Sequence, residues 1–128
     1  MMRWGLFVVL LILLSGCGGE QPRMAGDRWA EALQDPDARA RRKAAFTLGN
    51  IGSSDPAVLP ALIGALKDTD AGVRCEAILA LVKYGPEARE AVPILTELQH
   101  HDRDAQVRSY ASKALQKIGG DDALRPLP

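Results

Sequence analysis

Aromatic side chains are scarce in this chain, at 5% of its residues. A β-sandwich draws on such residues to fill its pleated, half-buried surfaces, and strand-like alternation is absent throughout. Histidine occurs only twice. His100 and His101 are adjacent, with Asp102 beside them. Neighbours in one turn rarely converge as the three or four ligands of a zinc site, so a solvated turn is expected and no metal. Neither sign of charge prevails: sixteen basic and sixteen acidic residues give a formal charge of zero. No whole-chain field therefore argues for nucleic acid. No apolar run reaches the roughly 20 residues of a spanning helix. No Gly-rich phosphate loop follows a strand, and neither Gly-x-Ser-x-Gly nor His-Glu-x-x-His occurs. The expectation is a protein that is not an enzyme and carries no cofactor.

What the chain does have is alanine, leucine and a repeat. Small side chains suit closely packed helices, and 128 residues allow one domain. Three stretches, 33–52, 66–85 and 100–119, align on Arg41, Arg74 and Arg108. Asp35, Asp68 and Asp102 stand six residues before these arginines, and Asp37, Asp70 and Asp104 stand four before. Gly52, Gly85 and Gly119 close each stretch eleven residues after. A period of 33 to 34 residues signals stacked structural repeats. Val73, Ala77, Leu81 and Tyr84 fall on one helical face. So do Ala40, Ala44, Leu48 and Ile51, and Val107, Ala111, Leu115 and Ile118. The second Asp of each stretch is placed to cap this helix, and the Gly to end it in the left-handed region. A less regular helix precedes each: 29–34, 57–67 and 87–99. Pro60 and Pro93 inside two of them predict a kink.

The first 16 residues read as a signal peptide. Arg3 precedes an apolar run from Leu6 to Leu14, and Leu14-Ser15-Gly16-Cys17 follows. This ending resembles the lipobox of bacterial lipoproteins, which implies cleavage before Cys17 and lipidation of its thiol. Residues 17–26 then form the lipidated Cys and a Gly-rich linker, and residues 27–128 the repeat domain. The expected address is the cell envelope, lipid-anchored and facing the periplasm or exterior. Gly18 after the Cys favours the outer membrane if the source has two.

The repeats themselves resemble HEAT repeats, most closely the short type named after phycobilisome lyases. The marks are Pro60, Asp68 and Val73-Arg74, and again Pro93, Asp102 and Val107-Arg108; the first unit has Asp35 and Arg41 but no Pro. The resemblance implies an all-α fold, an α-solenoid of about three helical hairpins. It implies a hydrogen-bonded ladder of Asp35, Arg41, Asp68, Arg74, Asp102 and Arg108, and protein binding as the usual work. The reading is a membrane-anchored scaffold or adaptor with an unidentified protein partner, no nucleic acid and no cofactor. The alternatives are a phycobilin-lyase-like enzyme acting on a tetrapyrrole and a purely structural subunit of an envelope complex.

The candidate partner-binding residues lie opposite the core stripe of each second helix, at 100° per residue. They are Arg42 and Phe46, then Cys75, Leu79 and Val82, then Ser109 and Lys113, with Gly49 and Gln116 completing the set. In a solenoid this side lines the inner surface. A contiguous apolar patch there marks an interaction site, unless neighbouring helices or the C-terminal DDALRPLP segment cover it. Arg39, Arg41, Arg42 and Lys43 form a basic cluster that reads as a solvated face, or as a contact for anionic headgroups. Cys75 has no intramolecular partner once Cys17 is lipidated, which leaves a free thiol or an intermolecular disulfide.

Overall fold

A computed structural model of the chain describes residues 25–52 and 54–119. The signal peptide, Cys17 and the DDALRPLP segment lie outside the described residues. Those described form six α-helices, one 3₁₀ segment and no strand: α1 (Ala25–Ala32), α2 (Ala38–Ile51), α3 (Val58–Ala65), α4 (Ala71–Tyr84), a 3₁₀ segment (Gly85–Ala91), α5 (Val92–His101) and α6 (Ala105–Ile118). The architecture is an all-α solenoid of HEAT-like hairpins, in which α2, α4 and α6 are the second helices of successive units.

The acidic pair before each second helix explains why it starts where it does. Asp35, Asp68 and Asp102 each fold the turn by accepting the backbone N–H two residues on, at 2.8–2.9 Å. Asp37, Asp70 and Asp104 are then the N-caps. Their carboxylates accept from Arg39 N, from Val73 N, and from both Gln106 N and Val107 N. These contacts satisfy amides that a helix start leaves without partners. At the other end, Gly52 and Gly85 take positive φ, 99° and 57°. Gly119 does not: its φ is −85°, and α6 closes without a left-handed residue.

The prolines act differently from the kink expected of them. Pro60 and Pro93 stand in the first turn of α3 and α5, where their missing N–H is one the helix would not have used. They start these helices. The break in the third unit comes earlier, at Ala88 (φ −84°, ψ 15°), inside the 3₁₀ segment. The third unit's first helix is the longer: α5 has 10 residues against 8 in α3.

The core follows the stripe read from the repeats. Ala44, Leu48, Val73, Ala77, Leu81, Val107 and Ala111 are fully buried, while Ala40 and Ile51, at the edges of the first unit, are partly covered. Tyr84 replaces the isoleucine of the other units and uses its hydroxyl. It donates to the carbonyl of Leu48 and accepts from the Gly52 amide, closing the C-terminus of α2 from the next unit. The second helices stack closely, α2 on α4 and α4 on α6, whereas α1 and α3 meet only lightly. Open grooves of about 650 and 730 Å³ separate successive first helices along the edge that carries the arginine ladder. Tight contact on one side and wedge-shaped space on the other bend the array toward the second helices, which form its inner face.

Candidate interaction surface

Four of the six ladder residues are committed to one another, Arg41 to Asp68 and Arg74 to Asp102. Arg41 Nε and Nη2 donate to the two carboxylate oxygens of Asp68 at 2.9 and 3.1 Å. Arg74 repeats this fork on Asp102 at 2.8 and 2.9 Å. The remaining nitrogen, Nη1, donates in each unit to two carbonyls of its own turn. These are Asp35 and Pro36 for Arg41, Asp68 and Thr69 for Arg74, and Asp102 and Arg103 for Arg108. A bidentate fork uses the donors arginine holds in a plane. Asp102 shows the electrostatic result. Burial pushes its carboxyl up, but the hydrogen bonds from Arg74 and the Asp104 amide, with the charges of Arg74 and Arg108, hold it below the usual carboxylate range. Asp70 is also held low, by the Val73 amide above all and by Arg42. Arg41, Asp68, Arg74 and Asp102 are thus engaged with one another. Asp35 and Arg108 pair with no side chain of opposite charge among the described residues.

The face opposite the core is less uniform than helical geometry alone implies. Phe46 is 56% exposed and Leu79 41%, and no other large apolar side chain among the described residues is so open. Arg42, Ser109, Lys113 and Gln116 are also exposed. Val82 is half-buried and packs on the core. Cys75, at 9%, and Gly49 are buried. The reason is the stacking of second helices, which covers the flank of each helix that faces its neighbour. Burial, with the nearby charge of Asp104, pushes the Cys75 thiol above its ordinary pKa. It is therefore a protonated thiol at neutral pH, unsuited to nucleophilic attack.

Two residues absent from the sequence reading complete the surface. Lys83 lies over the Phe46 ring, 5.2 Å from its centroid, and donates to Asn50 Oδ1 at 2.8 Å. Leu79 is one turn before Lys83 on α4 and shares its side of the helix, so Phe46, Lys83 and Leu79 form one patch across α2 and α4. Tyr110 of α6, held by Gln106 at 3.2 Å, lines a cleft of about 280 Å³ with Arg42, Cys75, Leu79 and two acids, Glu76 and Asp104. Helical phase places Lys83 and Tyr110 near the flanks, so only the inter-helix packing reveals them. Arg42 spans the same junction, with Nε 3.4 Å from Asp70. Among the described residues no group of three His, Cys, Asp or Glu could hold a metal ion, and no helix is long and apolar enough to cross a membrane.

This arrangement offers a small apolar patch, Phe46 and Leu79, with Lys83 between them and a cleft of mixed charge beside it. Known proteins contain similar chains. The family of HEAT repeats matches residues 26–116. A HEAT repeat-containing taxis protein of Halobacterium salinarum is 29% identical, over 79% of this chain and 29% of that protein. The complex of CpcE and CpcF of phycocyanin lyase from Nostoc sp. PCC7120 contains a similar chain, with a TM-score of 0.68, 29% identity, and coverage of 84% of this chain and 42% of that one. An engineered protein follows at a TM-score of 0.59 and 27% identity, over 78% and 49% of the two chains. The chain thus spans under a third of that taxis protein and under half of each of these structures.

Proposed function

Since this chain belongs to the HEAT-repeat family, we propose that it is a scaffold or adaptor that holds another protein on the inner face of its second helices, tethered to a membrane through Cys17. The observation that carries the docking reading is the exposed Phe46–Lys83–Leu79 patch, beside a ladder whose polar groups bind one another. A contiguous apolar patch on a small protein is a common mark of an interaction site. On this reading the chain works by binding. The relatives support the protein-binding part: one similar chain was solved as half of a two-protein complex, and one relative is a taxis protein.

The tether rests on Leu14-Ser15-Gly16-Cys17 behind a short apolar run. Two lipid chains contribute about 0.8 kcal/mol per buried CH₂ and hold a protein stably at a bilayer. The expected linker loses its last two residues to α1, which begins at Ala25; residues 18–24 reach at most about 25 Å, which keeps the repeats near the surface. The address is the envelope, facing the periplasm or exterior.

One experiment tests both parts. The full chain and its variants are expressed in a bacterial host, extracted in mild detergent, and their co-purifying proteins compared. Phe46→Asp with Leu79→Asp is expected to lose the partner with helicity and melting nearly unchanged. A cooperative loss of fold would assign the patch to the core. Cys17→Ser is expected to leave the membrane fraction or remain unprocessed; normal maturation and retention after a high-salt wash would end the lipoprotein reading. The likeness to a phycocyanin lyase component favours a second reading, tetrapyrrole binding. Visible absorbance of the purified protein with added bilin would support it.

A further inference from the structure

The chain is neutral overall, but its charges are sorted by helix. The three second helices, α2, α4 and α6, carry nine arginines and lysines and one acid, Glu76. The first helices and the 3₁₀ segment carry five acids and two arginines. Three of the nine cations belong to the ladder. The other six, Arg39, Arg42, Lys43, Lys83, Lys113 and Lys117, are all exposed. At about 100° per residue they fall within an arc of about 100° centred away from the core. Lys83 and Lys117 stand in last turns, where a cation is favourable on its own account. Lys113 and the three cations of α2 have no such local reason.

We infer that the inner face receives an acidic segment of a partner protein, one that places apolar side chains between its carboxylates. This rests on the docking reading above and adds the chemistry of the occupant. Phe46 and Leu79 take the apolar side chains. Lys83 and Lys113, exposed on the same face, take the carboxylates. Three second helices at about 10 Å spacing set a footprint of about 20–30 Å, the reach of about eight extended residues. The mixed character of the face argues for a protein segment over a lipid surface: exposed Phe46 and Leu79 stand among exposed cations, and a segment that alternates carboxylates with apolar side chains matches both, whereas anionic headgroups match only the cations. Complementary charge of this kind governs the rate of encounter and the choice of partner, and weakens as salt rises.

The test is a titration of the detergent-purified full chain against two labelled synthetic peptides of twelve residues, one alternating Glu with Leu and Phe, the other alternating Lys with the same apolar residues. The acidic peptide is expected to bind at least about tenfold tighter than the basic one, and to weaken severalfold between about 0.05 and 0.5 M salt. Lys83→Glu with Lys113→Glu is expected to abolish the preference at unchanged melting. Equal binding of the two peptides, or binding of neither, overturns the inference. Binding of phosphatidylglycerol vesicles that the same charge reversal removes, without preference for the acidic peptide, assigns the face to a membrane and also overturns it. The two readings fail separately. If Phe46→Asp with Leu79→Asp releases the co-purified partner while the charge reversal and salt do not, docking stands and only the acidic occupant falls.

Discussion

Gly49 shows how much one hydrogen atom in place of a methyl group decides. It sits where α2 crosses α4, and a Cβ built there would lie 2.8 Å from Ala80 Cβ and 3.0 Å from Ala80 Cα. In an exposed helix, Gly→Ala stabilises by about 1 kcal/mol. Here the backbone of α4 is in the way, and overpacking costs about 1–3 kcal/mol. Gly49→Ala is therefore expected to lower stability by about 1–2 kcal/mol in urea denaturation; a rise in the midpoint would show that the two helices slide apart freely. Helical phase could not have foretold this contact. It puts Gly49 with Phe46 on the side away from the core, because a wheel treats each helix as alone. The same omission accounts for Cys75, which the neighbouring helices bury. The core stripe itself was legible, because burial against the first helices is a property of one helix face and repeats three times.

Helix starts were also legible, but their chemistry was only partly so. Asp37, Asp70 and Asp104 repeat at a fixed distance and announced themselves as caps. Asp55 does not repeat, and nothing in its surroundings marks it. Yet it is 5% exposed, and it accepts from Gly26 N at 2.8 Å and Ala57 N at 3.0 Å. One carboxylate thus serves the beginnings of both α1 and α3 and ties the first turn of the repeat domain to the second unit. Removing it strands two amides, at about 1–3 kcal/mol. Asp55→Ala is expected to speed amide hydrogen exchange over residues 26–32 while α4 and α6 keep their protection; unchanged exchange in α1 would mean that packing of Trp29 and Leu33 alone holds it. The prolines teach the converse. Their recurrence was visible, but a kink and a helix start demand the same residue, and only the position of the first turn separates them.

At the scale of the whole molecule, Asp102 of the ladder and the N-cap Asp70 couple stability to pH. The folded state holds Asp102 and Asp70 below the ordinary carboxylate range, so each contributes stability above the pKa of the unfolded chain. That contribution is lost as pH falls through the lower folded value, below about 4. Asp102→Asn is expected to be the less stable protein at neutral pH and to lose less than the parent between pH about 7 and 3. Parallel losses in chemical denaturation would assign the acid sensitivity elsewhere. The ladder also has a direction: every fork runs from an arginine to the aspartate of the following unit, 27 residues on in one case and 28 in the other. A unit so built carries a socket for its predecessor and a plug for its successor. A gene segment encoding residues 53–85, copied in tandem, would present matching halves at both new joints without any change of sequence. Lengthening such a protein is then a matter of copying, and the reach of its inner face can be inherited by the number of copies.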